Sequence, residues 1–371
     1  MLNTLHDASR QWASRPADER FTNLHDLLAH TQNVRRVSTA RVVSSRDITC
    51  IPGDDNRGLT IRSNRTGTIA TPTHWSFGQL CQRANAPAGY MRELPAPLAA
   101  DCVNYGLQFG DDAAEVGLLL RRDGAADISA QAVTGPRYGR IWNSDVTQAV
   151  LDRFGDGTGR DTDWSVPGEF GQAVEITRAN TTLYAGDRDM FIFLADEKNR
   201  VEIPNRRDGK GGTLARGFFI SNSEVGAATL TLKAFLFDYA CCNRIVWGAQ
   251  NVSQIAIRHT ANAPDRYLEG LLPALEDYSH GSNASVADMV KRAQALRCDR
   301  NGQDVNAFLA QRFGKRMAPK LQAIHMAEEG RPVETIWDAS TAATAFARSI
   351  QWQDERVALE TLAGEVLALA D

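Results

Sequence analysis

The chain has little of what would mark it as secreted, membrane-spanning or metal-bound. Its first residues, MLNTLHDASRQWASRP, hold no apolar stretch of the kind a secretory signal needs, and no run of about 18 uncharged apolar residues occurs anywhere. A cytoplasmic protein without a membrane partner is expected. Cysteine is sparse, with six in 371 residues at 50, 81, 102, 241, 242 and 298, and the spacing builds no compact framework, so reduced thiols are expected. Cys241 and Cys242 are adjacent; in a strand they face opposite sides and cannot grip one tetrahedral zinc, so they read as small buried hydrophobes. His25 and His30 are five apart rather than four, which excludes a metalloprotease helix. Neither GDGTGRDTD nor RRDGKGG has phosphate-loop spacing, and Asp156, Asp161 and Asp163 do not have calcium-loop spacing. No complete catalytic constellation is present, and neither a cofactor nor a resident metal is expected. An excess of positive charge is missing too: the formal net charge of −4 argues against a protein whose whole surface coats nucleic acid.

What is there is uneven. Arg35, Arg36, Arg41, Arg46, Arg57, Arg62 and Arg65 crowd residues 30–65 against Asp47, Asp54 and Asp55. Lys198, Arg200, Arg206, Arg207, Lys210 and Arg216 crowd residues 197–216 against Glu197, Glu202 and Asp208. Pro204, Gly209, Gly211 and Gly212 keep that second stretch from being a regular core element, so it is expected as an exposed hairpin loop. Arg206, Arg207 and Lys210 beside flexible glycines suit a finger that tracks a phosphate backbone. A solvated loop explains the same polarity.

Hydrophobic spacing supplies the elements. Phe21, Leu24, Leu27 and Leu28 predict a helix near 20–34, and Val37, Val42, Val43 and Ile48 predict strand after it. Ser76 is a candidate cap for a helix broken at Pro87–Gly89, and a second apolar helix runs to Phe109. EVGLLLRRDGAADISAQAV reads as a hairpin, Ser144 as the cap of a helix to Phe154, and residues 155–168 as a glycine-rich loop. Strands are expected at 173–178, 181–185 and 190–195, and a long aliphatic pair at 216–248, with Phe219, Leu230, Leu232, Leu236 and Val246 buried. After residue 262 the pattern is helical. A chain of this length fits one large elaborated domain or two packed ones. The expected fold is α+β: residues 1–70 as an N-terminal helix with short strands, 71–261 as a core with a central, mostly antiparallel sheet, and 262–371 as a helical region packed on it.

In the long pair, Ser221, Asn222, Ser223, Glu224 and Gly226 form a turn signal, since Ser and Asn bond their own backbone and Gly permits positive φ. They read as a structural corner, or as a polar cluster presented at a sheet end. Ile-Ser-Asn-Ser-Glu-Val-Gly, followed by an alternating strand and Cys-x-Asn, resembles the phage/plasmid-like proteins of domain-of-unknown-function family 932. FGQLCQRANAPAGYMRELP, AVTGPRYGRIWNSDV and ATAFARSIQWQDERVALETLAGEVL extend the resemblance over about residues 70–371. Relatives carry Asn-Gly after the cysteine where this chain has Asn243-Arg244. The resemblance implies a mobile-DNA setting and carries no catalytic residues. Two functions follow as expectations: a single-stranded nucleic-acid binder, self-assembling or annealing, or a protein–protein effector that inhibits a host defence. A metal-dependent nuclease built from distant carboxylates is third.

Overall fold

The computed structural model describes residues 16–53, 58–110, 115–124, 127–167, 175–203, 212–238, 243–246, 255–281, 284–299, 302, 304–347, 349 and 353–370. It is α+β, with two sheets and a helical C-terminal region.

A two-residue strand, β1 (Arg20–Phe21), leads into α1 (Leu24–Arg36). The Asn23 side chain accepts the Asp26 amide and caps the helix, which buries Leu24, Leu27 and Leu28. The first sheet then forms from β2 (Ser38–Ser44), β3 (Ile48–Pro52), β4 (Leu59–Ser63), β5 (Ile69–Pro72), β6 (Glu115–Arg122) and β7 (Ile128–Thr134), in the order β2-β6-β7-β5-β4-β3. Only the β5–β7 pairing is parallel among them. The expected break at residue 70 therefore falls inside this sheet, because β2 to β5 share it with β6 and β7. Three helices, α2 (His74–Arg83), α3 (Ala88–Glu93) and α4 (Ala96–Phe109), close one face, packing Leu80, Val103 and Leu107 on Ile48, Ile61 and Val116. Thr73, not Ser76, caps α2: it accepts the Ser76 amide, while the buried Ser76 hydroxyl donates to the Ala130 carbonyl of β7 at 2.6 Å. The opposite side of α4 leaves Leu98, Tyr105 and Phe109 exposed, the last two in ring contact.

Among the described residues the second sheet has nine strands: six in the order β1-β9-β10-β12-β13-β14, with β8 paired to β10, β11 to β12 and β15 to β13 off that path. Its strands are β8 (Trp164–Ser165), β9 (Leu183–Ala185), β10 (Met190–Asp196), β11 (Val201–Ile203), β12 (Gly212–Asn222), β13 (Leu230–Asp238), β14 (Asn243–Val246) and β15 (Ile255–Ile257), beside β1. All its pairings are antiparallel. Two expectations change here. The glycine-rich 155–168 stretch contributes β8, which pairs with β10. Glu175–Arg178 carries no strand, because the Asn180 side chain accepts the Thr177 amide and donates to the Glu175 carbonyl, closing a turn.

The β12–β13 pair occupies the middle of this sheet as expected. Ile192, Leu194, Phe218, Ile220, Leu230 and Leu232 meet α1, α5 (Asn143–Phe154) and α6 (Leu272–His280) in one core. Phe193 and Phe219 stack on each other and alternate with this set, so they line the opposite face. Phe219, Leu230, Leu232 and Leu236 are all buried. The Val246 side chain, Cys241 and Cys242 lie outside the described residues.

The C-terminal helices α7 (Ala284–Ala295), α8 (Val305–Phe313), α9 (Ala318–Glu329), α10 (Ile336–Ala347) and α11 (Gln353–Leu367) pack around Trp337 and reach the sheet at Leu214 and Leu236. Helix α10, IWDASTAATAFA, is buried nearly all round, and its small residues let α11 approach until the Ser340 hydroxyl donates to the Ala363 carbonyl. Thr335 and Asp338 cap its start reciprocally, and Arg331 grips Asp338 with two bonds of 2.8 and 2.6 Å. Burial opposes the charge on Asp338, but the bonds and charges of His325 and Arg331 prevail and hold its carboxyl well below the usual range. Among the described residues no helix is long and apolar enough to cross a membrane.

Candidate functional site

The Ser-Asn-Ser-Glu-Val-Gly turn joins β12 to β13 with Gly226 at φ +83°. It is a corner turned inward. Ser221, Asn222 and Ser223 are fully buried and Glu224 is 7% exposed. Buried polar groups need partners, and most of the corner's come from chain segments far away, although Ser221 Oγ and Asn222 Oδ1 have none among the described residues. The Asn222 amide donates to the Ile141 carbonyl and to Asn143 Oδ1, and the Ser223 hydroxyl donates to the Arg188 carbonyl. The corner's own carbonyls accept in turn: Ser223 from the Tyr138 hydroxyl, Glu224 from Arg140 Nε, and Val225 from Trp75 Nε1 and Gln79 Nε2. AVTGPRYGRIWNSDV thus sits directly on the corner, and Trp75 and Gln79 bring the start of the helix-break-helix against it.

The Glu224 carboxylate accepts the Asn143 amide at 2.7 Å, and so satisfies the first N–H of α5. No side chain of the helix's own N-cap does this, and Ser144 is not the cap. Burial pushes the Glu224 carboxyl up to about 7, against the opposing Asn143 bond and the charges of Arg140 and Arg35. A carboxyl whose pKa is higher folded than unfolded binds more protons when folded, so it costs stability as pH rises from its ordinary value through about 7. Glu224→Gln keeps the acceptor and removes the charge. It should raise the melting temperature at pH 8, by a free energy on the order of 3 kcal/mol, and leave it near the parent value at pH 5.

Tyr138, Arg140 and Trp142, at alternate positions of an irregular stretch, stack on one another and form a ladder. His259 stacks on Tyr138 at 5.0 Å, Arg140 lies 5.4 Å from Tyr138 and 5.6 Å from Trp142, and Arg35 lies 5.1 Å from the Trp142 ring. Arg188 covers Trp75 in the same way at 4.8 Å. Gly139 faces the other way, where a Cβ would come within 2.0 Å of the Thr260 carbonyl oxygen, so only glycine allows the two segments to meet.

Beside the ladder opens a cleft of about 680 Å³, lined by Arg83, Gly135–Tyr138 and His259–Asn262. Its lining contains no carboxylate. Arg83 Nε and His259 Nε2 are buried without hydrogen-bond partners. His259 Nδ1 donates to the Gly139 carbonyl at 3.0 Å, and burial holds the imidazole down at about 4, so near neutrality Nε2 is a free acceptor. The cleft therefore offers guanidinium groups to an anion.

The basic residues read from the sequence are dispersed by the fold. Lys198 pairs with Asp163 at 3.5 Å, and Arg200 Nε donates to the Glu197 carbonyl; both are exposed near the base of the β11–β12 hairpin. Arg206, Arg207 and Lys210 lie outside the described residues. Arg216 is interior, a correction to its expected place in an exposed loop. It is 8% exposed, 3.4 Å from the Asp196 carboxylate, and lies over the rings of Trp164 and Tyr278. It belongs to the long β12 strand, whose regular pairing with β13 begins at Leu214. Arg83, Arg137, Tyr138, Arg140 and His259 went unnoticed as a group; the alternation in RYGRIW was their one local signal. Among the described residues no three His, Cys, Asp or Glu side chains are grouped to hold a metal.

Comparison with protein-family models, with curated proteins and with solved structures finds no match. The resemblance to phage/plasmid-like proteins rests on the quoted motifs alone.

Proposed function

We propose that the protein binds single-stranded nucleic acid in the setting of phage or plasmid DNA metabolism, with a backbone phosphate seated in the cleft beside Arg83 and Arg137. The observation that carries this reading is the charge of the cleft: its charged side chains are guanidinium groups, and no acid lines it. Phosphate affinity comes from such groups displacing counterions. Lys198 and Arg200 precede β11, toward the end of β12 away from the corner, and in the same reading they form with Arg206, Arg207 and Lys210 a second, separate basic site.

The test is fluorescence anisotropy of a labelled oligonucleotide over a range of salt. Arg83→Glu with Arg137→Glu should weaken binding by at least tenfold and flatten the log–log salt dependence by about 1.4, two single-strand contacts at roughly 0.7 each. The circular dichroism spectrum should be unchanged, since neither arginine has a hydrogen-bond or ion-pair partner among the described residues; reversal of Arg83 in the last turn of α2 lowers stability by only about 1 kcal/mol. The triple change Arg206→Glu, Arg207→Glu and Lys210→Glu measures the hairpin's share. Unchanged affinity and slope in both variants would overturn the proposal and favour a protein partner.

A further inference from the structure

A second cleft, about 510 Å³ and sharing no residue with the first, opens between α1, the β6–β7 strands, the Ala185–Asp187 turn and the corner. Its character is opposite. Glu224, Gln131 and Asn143 line it and are each less than a tenth exposed. Asp18, Glu19, Asp123 and Asp187 line it as well, against Arg121 and Arg122. Arg121 is already engaged, at 2.6 Å from Asp123 and 2.7 Å from Asp187.

Among the described residues Glu224 has no ion-pair partner. One carboxylate oxygen takes the Asn143 amide, and no side chain among the described residues donates to the group. The two nearby guanidinium groups are committed elsewhere: Arg140 Nε to the Glu224 carbonyl and the Tyr138 and Trp142 rings, Arg35 to Asp145 at 2.5 Å. A nine-tenths buried carboxyl that lines a cavity without a paired cation is costly to ionise, and a cation entering the cavity removes that cost.

We propose that this cleft binds a small organic cation through a guanidinium or primary ammonium group, with Glu224 as its counter-ion. Asn143 and Gln131 supply polar contacts beside it, and the carboxylates at the mouth favour entry of positive charge. A bare metal ion fits poorly, because no three ligating side chains are grouped there. The proposal is independent of nucleic-acid binding, since the two clefts share no lining residue.

Binding should be linked to pH. Burial keeps the free Glu224 carboxyl up at about 7, and the charges facing it are Arg140, Arg35 and Asp145 behind the floor and Arg121, Asp123 and Asp187 at the mouth. His30, also in the lining, is held below its ordinary value by burial and by Arg121. A cation selects the ionised carboxylate. Affinity should therefore rise about tenfold from pH 6 to pH 8, with a proton released on binding.

The experiment is isothermal titration calorimetry of the full chain with agmatine, which carries both cationic groups, at pH 6, 7 and 8. The parent should bind with that pH dependence. Glu224→Gln, which retains the acceptor for Asn143, should bind at least tenfold more weakly at pH 8 and lose the pH dependence, with an unchanged circular dichroism spectrum. Asp187→Asn should weaken binding less and keep the dependence. A blocked peptide with one central arginine separates sources: tighter binding than agmatine assigns the cleft to a partner's side chain, weaker binding to a free metabolite. No binding of either probe at millimolar concentration overturns the proposal, as does a Glu224→Gln protein that binds with the parent's affinity and pH profile.

Discussion

Leu232→Asp should yield no folded protein. Leu232 is fully buried near the start of β13, opposite Ile220 and Ile255, in the core shared with α1, α5 and α6. An aspartate there finds no cation among Ile192, Leu194, Phe218 and Leu230, and an unpaired buried carboxyl costs several kcal/mol, on the order of a domain's whole stability. Expression in inclusion bodies, or a soluble product without a cooperative thermal transition, is the expected result. A soluble variant melting at the parent temperature would remove Leu232 from the interior.

The second large effect is at Arg216. Arg216→Met should destabilise the protein by roughly 3–5 kcal/mol, because it strips Asp196 of its cation where that carboxylate is 2% exposed. Methionine refills the space between Trp164 and Tyr278, so the loss is electrostatic more than steric. Asn199 still donates to Asp196 through both its backbone and its side-chain amide, and this keeps the cost from being larger. Adding Asp196→Asn should restore most of the stability, measured by urea denaturation as a double-mutant cycle. If Arg216→Met instead melted like the parent and lost nucleic-acid binding, Arg216 would have to be returned to the surface.

The contrast between these two residues shows what was legible. Leu232 could be placed from the sequence because alternation over β13 is a local signal with one dominant cause, burial of every second side chain. The α+β class, the central β12–β13 pair and the C-terminal helices follow from the same kind of signal. Arg216 could not be placed, because a charge beside a basic, glycine-rich stretch looks solvated until Asp196, Trp164 and Tyr278 are known to surround it. The corner falls between. Ser-Asn-Ser-Glu-Val-Gly announces a turn, but whether its polar groups face water or protein depends on Tyr138, Arg140 and Asn143, about 80 residues away in sequence. Caps show the limit at short range. Ser76 and Thr73 both have the right chemistry, and Ser76 is drawn off by a carbonyl of β7 that only the tertiary fold supplies. The two clefts are illegible for the same reason, since each is assembled from segments far apart in sequence.

The pairing of β1 with β9 has a consequence for the order in which the molecule is put together. Phe21 pairs with Leu183, and the Thr181 hydroxyl closes on the Phe21 carbonyl across 160 residues of chain. The α1 helix is tied at its start to the Asp156 carbonyl and packs along α5. Everything that holds residues 20–36 in the second sheet's core is thus encoded more than a hundred positions later. On a ribosome these residues emerge early and wait, with the apolar face of Leu24, Leu27 and Leu28 uncovered, while β2 to β7 already have their partners at hand. A nascent chain paused before Asn143, where α5 begins, carries an arm with nowhere to dock, and that is the stage at which it most needs shelter from its neighbours.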